Sequence, residues 1–140
     1  EKWVKEAVAE GANIAWGGKR RGSMIEPTVL DGVKPFMKVC CEEIFGPVVT
    51  LHKCDSIESA VDEVNDSRYG LQAGIFSSDI NSIMYAYKHL DVGGVVANDY
   101  PTFRVDNMPY GGIKDSGFGR EGVRYAIQEM TEPKLLVMEF

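Results

Sequence analysis

Apolar residues along the chain alternate between helical and strand spacing, and together they predict an α/β fold. Helical spacing predicts apolar faces at Trp3, Val4, Ala7 and Val8; at Ile57, Ala60, Val61 and Val64; at Ile80, Ile83, Met84, Tyr87 and Leu90; and at Val123, Ala126, Ile127 and Met130. Shorter apolar runs predict strands at residues 14–18, 27–30, 47–54, 71–77, 93–98 and 134–140. Because strands that alternate with helices are joined by crossovers, the expected architecture is a mostly parallel sheet with flanking helices.

Individual residues predict where the helices begin and end. Gly11 follows the first helical segment and stands where a helix would terminate. Asp55 and Glu58 resemble a capping box for the second helix. Either Ser78 or Asp79 would cap the third helix, because a short polar side chain accepts hydrogen bonds from the first free N–H groups.

Two of the predicted strands differ in expected position. The run at residues 27–30 is interpreted as an edge strand. The run at residues 93–98 is apolar and glycine-rich, which predicts a buried strand. A glycine-rich loop at residues 110–122 separates it from the last helix.

Composition and charge narrow the function. The chain has 140 residues, of which 44% are hydrophobic and 26% charged, as expected of one soluble globular domain. Its net charge of −6 argues against nucleic-acid binding, and the basic run at residues 17–22 is interpreted as a solvated loop. No apolar run approaches the roughly 20 residues of a membrane span. Three cysteines, an odd and sparse number, predict a reducing cytoplasm without a disulfide framework.

The segment "CCEEIFGPVV" at residues 40–49 is the first candidate for chemistry. Cys40 and Cys41 precede two carboxylates, and negative neighbours disfavour the thiolate that a nucleophile needs. Neither the adjacent pair nor Cys54 shows a zinc-ligand spacing, and both histidines lack a protease-like pattern. All three cysteines are therefore predicted to be small, buried structural residues without a base beside them.

Four ordered motifs then identify a family. They are "EEIFGPVV" (residues 42–49), "NDSRYGLQAGIFSSD" (65–79), "VVAND" (95–99) and "MPYGGIKDSGFGREG" (108–122). Together they resemble motifs of the NAD(P)-dependent aldehyde dehydrogenase superfamily and cover most of residues 26–140. The sequence departs from the usual pattern at Tyr110, where phenylalanine is common, and at the two cysteines before the glutamates.

The resemblance implies a cofactor role for the first motif, with NAD or NADP as the cofactor. Glu43 would hold the hydroxyls of the nicotinamide ribose, since an ionised carboxylate accepts hydrogen bonds from both. Phe45 would pack beside the nicotinamide ring and fix its position for hydride transfer. Glu42 is interpreted as a solvated or helix-capping charge.

The resemblance also implies a substrate tunnel near residues 98–110. Phe103 and Tyr110 would line it, because aromatic walls exclude water around a small aldehyde. Arg104 has two interpretations: an exposed charge paired with Asp106 or Asp99, or a guanidinium that recognises a carboxylate or phosphate on the substrate. Three further residues are expected to have structural roles: Asn98, Lys114 and Ser116.

In the family that the chain resembles, a cysteine thiolate adds to the aldehyde, hydride leaves for NAD(P), and a glutamate-activated water releases the acid. By the same resemblance, the nucleophile, the general base, the oxyanion-hole asparagine and the Rossmann-type domain lie N-terminal to this segment. Residues 1–132 would then be the C-terminal part of a catalytic domain. Residues 133–140 would be a terminal strand that pairs with another subunit in a homo-oligomer. This expectation fits a chain that begins at Glu1 without a methionine.

The expected function is therefore oxidation of a small aldehyde to a carboxylic acid by a longer enzyme, with this chain inactive by itself. Two alternatives remain at this stage. One is a non-catalytic interaction or assembly module that docks through its terminal strand. The other is an aldehyde dehydrogenase that releases a coenzyme A thioester. The coding sequence upstream of Glu1 would distinguish the enzyme from the module.

Overall fold

The computed structural model describes residues 1–140, and the chain divides into two compact units, Glu1–Asp55 and Ser56–Phe140. The first unit contains, in order, α1 (Lys2–Ala9), β1 (Asn13–Trp16), β2 (Arg20–Arg21), β3 (Met24–Ile25), β4 (Thr28–Asp31), α2 (Lys38–Cys41) and β5 (Val48–Thr50). The second contains α3 (Ile57–Asn65), β6 (Tyr69–Gly70), β7 (Gln72–Ile75), α4 (Ile80–His89), β8 (Gly94–Ala97), β9 (Ile113–Lys114) and α5 (Val123–Glu129). The prediction of an α/β chain is confirmed.

The prediction of a mostly parallel sheet is not confirmed. Parallel pairing occurs between β4 and β5 and between β7 and β8, in each case with a helix between the two strands. The pairs β1–β4, β2–β3 and β6–β9 are antiparallel. The short turn between β2 and β3 explains their pairing, since two strands joined by a tight hairpin can only pair antiparallel.

Strand β4 is central in the first unit, so the prediction of an edge strand at residues 27–30 is wrong. It lies between β1 and β5 in a three-stranded sheet. Thr28 and Leu30 are 2% and 0% exposed. Pro27 precedes the strand and removes no hydrogen bond from its ladder, and the Thr28 N–H donates to the Pro47 carbonyl at 2.8 Å.

The core of the first unit lies between this sheet and two helices. Its buried residues are Ala7, Ala12, Leu30, Met37 and Val39. Trp3 and Val4 of α1 pack against this cluster, as their spacing predicted, whereas Val8 is exposed. Gly11 follows α1 with a φ of +107°, which confirms the predicted helix end. Residues 17–22 were expected to be a loop, but they contain β2, which forms a small hairpin with β3.

The second unit contains a strand–helix–strand crossover made by β7, α4 and β8. Asp79 caps α4: its carboxylate accepts from the N–H groups of Asn81 at 3.1 Å and Ser82 at 3.0 Å. This confirms Asp79 over Ser78. At α3 the cap is Ser56, whose hydroxyl accepts from the Ser59 N–H at 3.1 Å.

Several predictions for the second unit are wrong in detail. The capping box at α3 joins Ser56 and Ser59, one residue later than the predicted pair, because Ser56 has the extended backbone that a cap requires. Strand β8 is half-buried along most of its length, not buried. Three residues of the apolar face predicted for α5, Val123, Ile127 and Met130, are exposed in this chain. Residues 131–140 contain neither helix nor strand, so the strand predicted at 134–140 does not form within this chain.

None of the helices is both long enough and apolar enough to cross a membrane.

Candidate cofactor and substrate sites

The segment after α2 presents two of the predicted site residues on its outer side. Glu42 ends the helix with φ −120° and ψ 157°, so the chain continues in an extended conformation. Ile44 packs against the core of the first unit, whereas Glu43 is exposed and Phe45 is 93% exposed. Alternation along an extended chain explains this, since successive side chains point to opposite faces. Glu42 is at the end of its helix and so does not cap a helix N-terminus.

Short backbone hydrogen bonds fix this segment, which we call the cofactor loop (residues 42–47). The Gly46 N–H donates to the Ile44 carbonyl at 3.0 Å, and the Val48 N–H donates to the Gly46 carbonyl at 2.9 Å. Neither the Glu43 carboxylate nor the Phe45 ring has a hydrogen bond, ion pair or ring contact within the chain. An exposed carboxylate that only accepts hydrogen bonds, next to an exposed aromatic ring, fits a ribose and a flat heterocycle.

The three cysteines do not match the prediction of buried residues. None of them forms a disulfide; Cys41 is exposed, and Cys40 and Cys54 are half-buried. The Cys40 Sγ lies 3.9 Å from Nε2 of His52, so a thiol does sit beside an imidazole. No group of three or more histidine, cysteine or acidic residues is arranged to hold a metal ion.

In the second unit, the predicted substrate residues lie on the loop after β8. Arg104 is held from two sides: its Nη2 donates to Glu121 Oε2 at 2.6 Å, and its guanidinium carbon lies 4.7 Å from the centroid of the Tyr110 ring. Phe103 is exposed, and its carbonyl accepts from Nε2 of Gln72 at 3.0 Å. The structure therefore brings Arg104 and Tyr110 together.

The predicted partners of Arg104 were Asp106 or Asp99, and the partner is Glu121 instead. The Asp99 side chain instead accepts a hydrogen bond through Oδ1 from the Tyr100 N–H at 2.8 Å. Sequence reasoning missed both Glu121 and Gln72, which lie 17 and 31 residues from the groups that they contact. Their positions inside the "GREG" and "YGLQAG" motifs were the available signal.

Two of the sequence motifs meet at the short β6–β9 ladder. The Ser116 hydroxyl accepts from the Gly70 N–H at 3.0 Å. The Lys114 Nζ donates to the carbonyls of Asn65 at 2.9 Å and Ser67 at 3.0 Å. These bonds confirm the structural roles predicted for Lys114 and Ser116, because they join the glycine-rich loop to the end of α3 and to β6.

Asn98 also has the structural role that was expected. Its Oδ1 accepts from the Ser77 N–H at 2.9 Å, and its own φ is +58°. Asparagine tolerates this left-handed conformation better than most residues. The bond ties the end of β8 to the end of β7.

A sequence profile described as the aldehyde dehydrogenase family matches residues 1–136 of this chain. The chain belongs to the aldehyde dehydrogenase family. The four motifs had indicated this family, and the profile match confirms it.

Several relatives within the family share about half of the sequence. The chain is 52% identical to the 3-sulfolactaldehyde dehydrogenase of Priestia aryabhattai over 138 residues, which cover 99% of this chain and 29% of that protein. The chain therefore spans less than a third of the length of this curated relative.

Solved structures of the family share the fold. Aldehyde dehydrogenase 21 from Physcomitrella patens, solved with the reaction product succinate, has a TM-score of 0.94 and 54% identity, covering 98% of this chain and 28% of that one. The glyceraldehyde-3-phosphate dehydrogenase GapN from Methanocaldococcus jannaschii, solved with NADP, has a TM-score of 0.85 and 43% identity, covering 92% and 28%. Among the similar structures, some contain NADP and others NAD+.

Proposed function

We propose that this chain is the C-terminal part of an enzyme that oxidises a small, negatively charged aldehyde to the carboxylic acid, with NAD or NADP as hydride acceptor. Family membership supports the reaction class. The charge of the substrate is supported by one observation above all, the position of Arg104 against Tyr110 on the predicted substrate loop.

The names of the similar proteins point to the same chemistry. The compound 3-sulfolactaldehyde carries a sulfonate, succinate carries carboxylates, and glyceraldehyde 3-phosphate carries a phosphate. Each of these groups is an anion that a guanidinium can bind through two parallel hydrogen bonds. Phe103 and Tyr110 would enclose the remaining carbon chain and exclude water.

The cofactor loop would supply the contact to the nicotinamide end of the cofactor. Glu43 would accept hydrogen bonds from the ribose hydroxyls, and Phe45 would pack against the ring. The bound cofactor supplies the hydride acceptor. The exposed positions of both side chains support this assignment, since nothing within the chain competes for them.

A neutral aldehyde is the second candidate substrate. The relatives also include lactaldehyde dehydrogenases, whose named substrate carries no ionised group. In that case Arg104 would serve only to brace the loop through Glu121.

Comparing substrates in an Arg104→Leu variant of the complete enzyme decides between these candidates. We expect kcat/KM for succinate semialdehyde and 3-sulfolactaldehyde to fall at least about tenfold, the loss expected when a hydrogen bond to a charged group is removed. Propanal and lactaldehyde should be almost unaffected. Arg124→Leu is the matched control, because it removes the same charge from an exposed position on α5. Equal losses for both kinds of aldehyde, or none, would rule out the anionic substrate.

The expectation of a homo-oligomer through residues 133–140 is part of this proposal. Leu135, Leu136 and Val137 are exposed in the chain, and an unpaired apolar segment of this kind favours pairing with another chain. Deletion of residues 134–140 should lower the oligomeric state measured by sedimentation; an unchanged state would exclude the segment.

A further inference from the structure

The guanidinium of Arg104 is held by two groups that are themselves fixed to each other. Its Nη2 donates to Glu121 at 2.6 Å, and the Tyr110 ring lies 4.7 Å from the guanidinium carbon. The backbones of Tyr110 and Glu121 are joined by two hydrogen bonds: the Glu121 N–H donates at 2.6 Å, and the Tyr110 N–H donates at 3.2 Å. The carboxylate and the ring therefore form one unit around the guanidinium, which we call the arginine cradle (Tyr110 and Glu121).

In this chain the ion pair contributes little to stability. The side chains of Arg104 and Glu121 are 49% and 62% exposed. Exposed pairs contribute little to the free energy of folding, because solvent screens the attraction and both side chains lose rotamer freedom. What the cradle does achieve is orientation, since it restricts a long and flexible side chain to one position.

The loop that carries Arg104 is fixed at its base as well. Nε2 of Gln72, on β7, donates to the carbonyl of Phe103 at 3.0 Å. The backbone next to Arg104 is thus tied to the sheet, while the tip of its side chain is held by the cradle. Such preorganisation raises affinity, because the cost of ordering the side chain is met before the ligand arrives.

We propose that Glu121 is a specificity-determining residue that positions Arg104 for the anionic group of the substrate. This inference rests on the proposed function. Glu121 accepts a hydrogen bond from Nη2 only, and the other N–H groups of the guanidinium remain available to a sulfonate, carboxylate or phosphate. The Tyr110 ring restricts the tilt of the guanidinium plane, so that these N–H groups keep one direction.

A different role for Glu121 makes the opposite prediction. If its carboxylate competed with the substrate for Arg104, removing it would strengthen the attraction for anionic aldehydes. The sign of the change in substrate preference therefore distinguishes positioning from competition.

The measured quantity is the specificity ratio, defined as kcat/KM for succinate semialdehyde divided by kcat/KM for propanal, in the complete enzyme. We expect Glu121→Ala to lower this ratio at least about fivefold, mainly through KM for the anionic aldehyde. Glu121→Gln keeps a hydrogen-bond acceptor but loses the charge, so it should lower the ratio less. Tyr110→Leu should lower the ratio as well, whereas Tyr110→Phe, which keeps the ring, should preserve it.

Asp106→Asn is the matched control, because it removes a carboxylate from the same loop without touching the cradle. In an Arg104→Leu background, Glu121→Ala should change the ratio no further, since the two residues act through one contact. An unchanged or increased ratio in both Glu121 variants would overturn the inference. If Arg104→Leu lowers the specificity ratio and the Glu121 variants do not, only the positioning role fails. If Arg104→Leu does not lower the ratio either, the proposed substrate class fails.

Discussion

The thiol of Cys40 lies 3.9 Å from Nε2 of His52, although the two residues are 12 positions apart in the sequence. This contact corrects the expectation that no cysteine of the chain has a base beside it. An imidazole can accept a proton from a thiol, which is the first requirement of a nucleophile. The remaining requirements are donors that stabilise an oxyanion and a bound hydride acceptor beside the thiol.

The isolated 140-residue chain is expected to oxidise no aldehyde despite this contact. In the proposed enzyme, the nucleophile, the oxyanion-hole asparagine and the dinucleotide-binding domain would lie in a preceding region. The cofactor loop alone would bind NAD only weakly. The purified chain can be mixed with excess NAD and short aldehydes while NADH absorbance is followed.

Steady turnover in that assay would contradict the prediction, and variants would then locate its origin. Loss of the turnover in both Cys40→Ser and His52→Ala, with retention in Cys54→Ser, would identify the Cys40–His52 pair as a nucleophile and its base. Turnover that survives all three changes would point to a contaminating enzyme.

In the complete enzyme, Glu43→Gln should weaken cofactor binding and slow hydride transfer. The amide keeps the shape of the side chain but loses its charge, which costs about 1.5–3 kcal/mol for a hydrogen bond to a charged group. Cofactor affinity can be measured by fluorescence titration and hydride transfer by single-turnover kinetics. Glu42→Gln is the control, since the adjacent residue loses the same charge at the end of α2 and should change affinity less than about twofold. If the two changes had equal effects on cofactor affinity, the ribose contact could not be assigned to Glu43.

Gly93→Ala should destabilise the second unit by about 1–3 kcal/mol or more, because overpacking forces the backbone apart. A Cβ at this position would lie 1.7 Å from the Gly111 carbonyl oxygen and 2.9 Å from that of Leu71. At Gly94, by contrast, a Cβ would make an ordinary contact of 3.6 Å with Gln72. The midpoint of urea unfolding should therefore be lower for Gly93→Ala, whereas the midpoint for Gly94→Ala should be close to that of the original chain. Similar midpoints would show that β8 and the glycine-rich loop do not pack as closely as described.

The cap of α4 should make stability depend on pH in the acid range. Hydrogen bonds from the Ser82 hydroxyl and from the Asn81 and Ser82 N–H groups hold the pKa of Asp79 below its ordinary value of 3.8. Because the pKa is lower in the folded chain, the contribution of the carboxylate is complete above the unfolded value and is lost as pH falls through the folded value.

Asp79→Asn tests this dependence, since the amide still accepts hydrogen bonds but does not titrate in this range. The free energy of unfolding should fall less steeply below about pH 4 in the variant than in the original chain. Parallel curves for the two proteins would show that other carboxylates cause the acid loss.

Local features were predictable from the sequence, and non-local ones were not. The apolar face of α1 and the cap at Asp79 depend on residues within one or two turns, and both predictions are confirmed except for the exposed Val8. Whether β4 is central depends on which strands pair with it, and no local pattern contains that information. For the same reason the motifs predicted Arg104 as a candidate but not its partner Glu121, which depends on how the loop closes.

The cofactor loop has a consequence for how the enzyme can change over time. Ile44 packs into the core of the first unit, and its two neighbours, Glu43 and Phe45, are the residues proposed to hold the cofactor. A core substitution that displaced Ile44 would change the direction of both side chains, without touching the cofactor. During evolution of the enzyme, such substitutions would change thermal stability and cofactor affinity together.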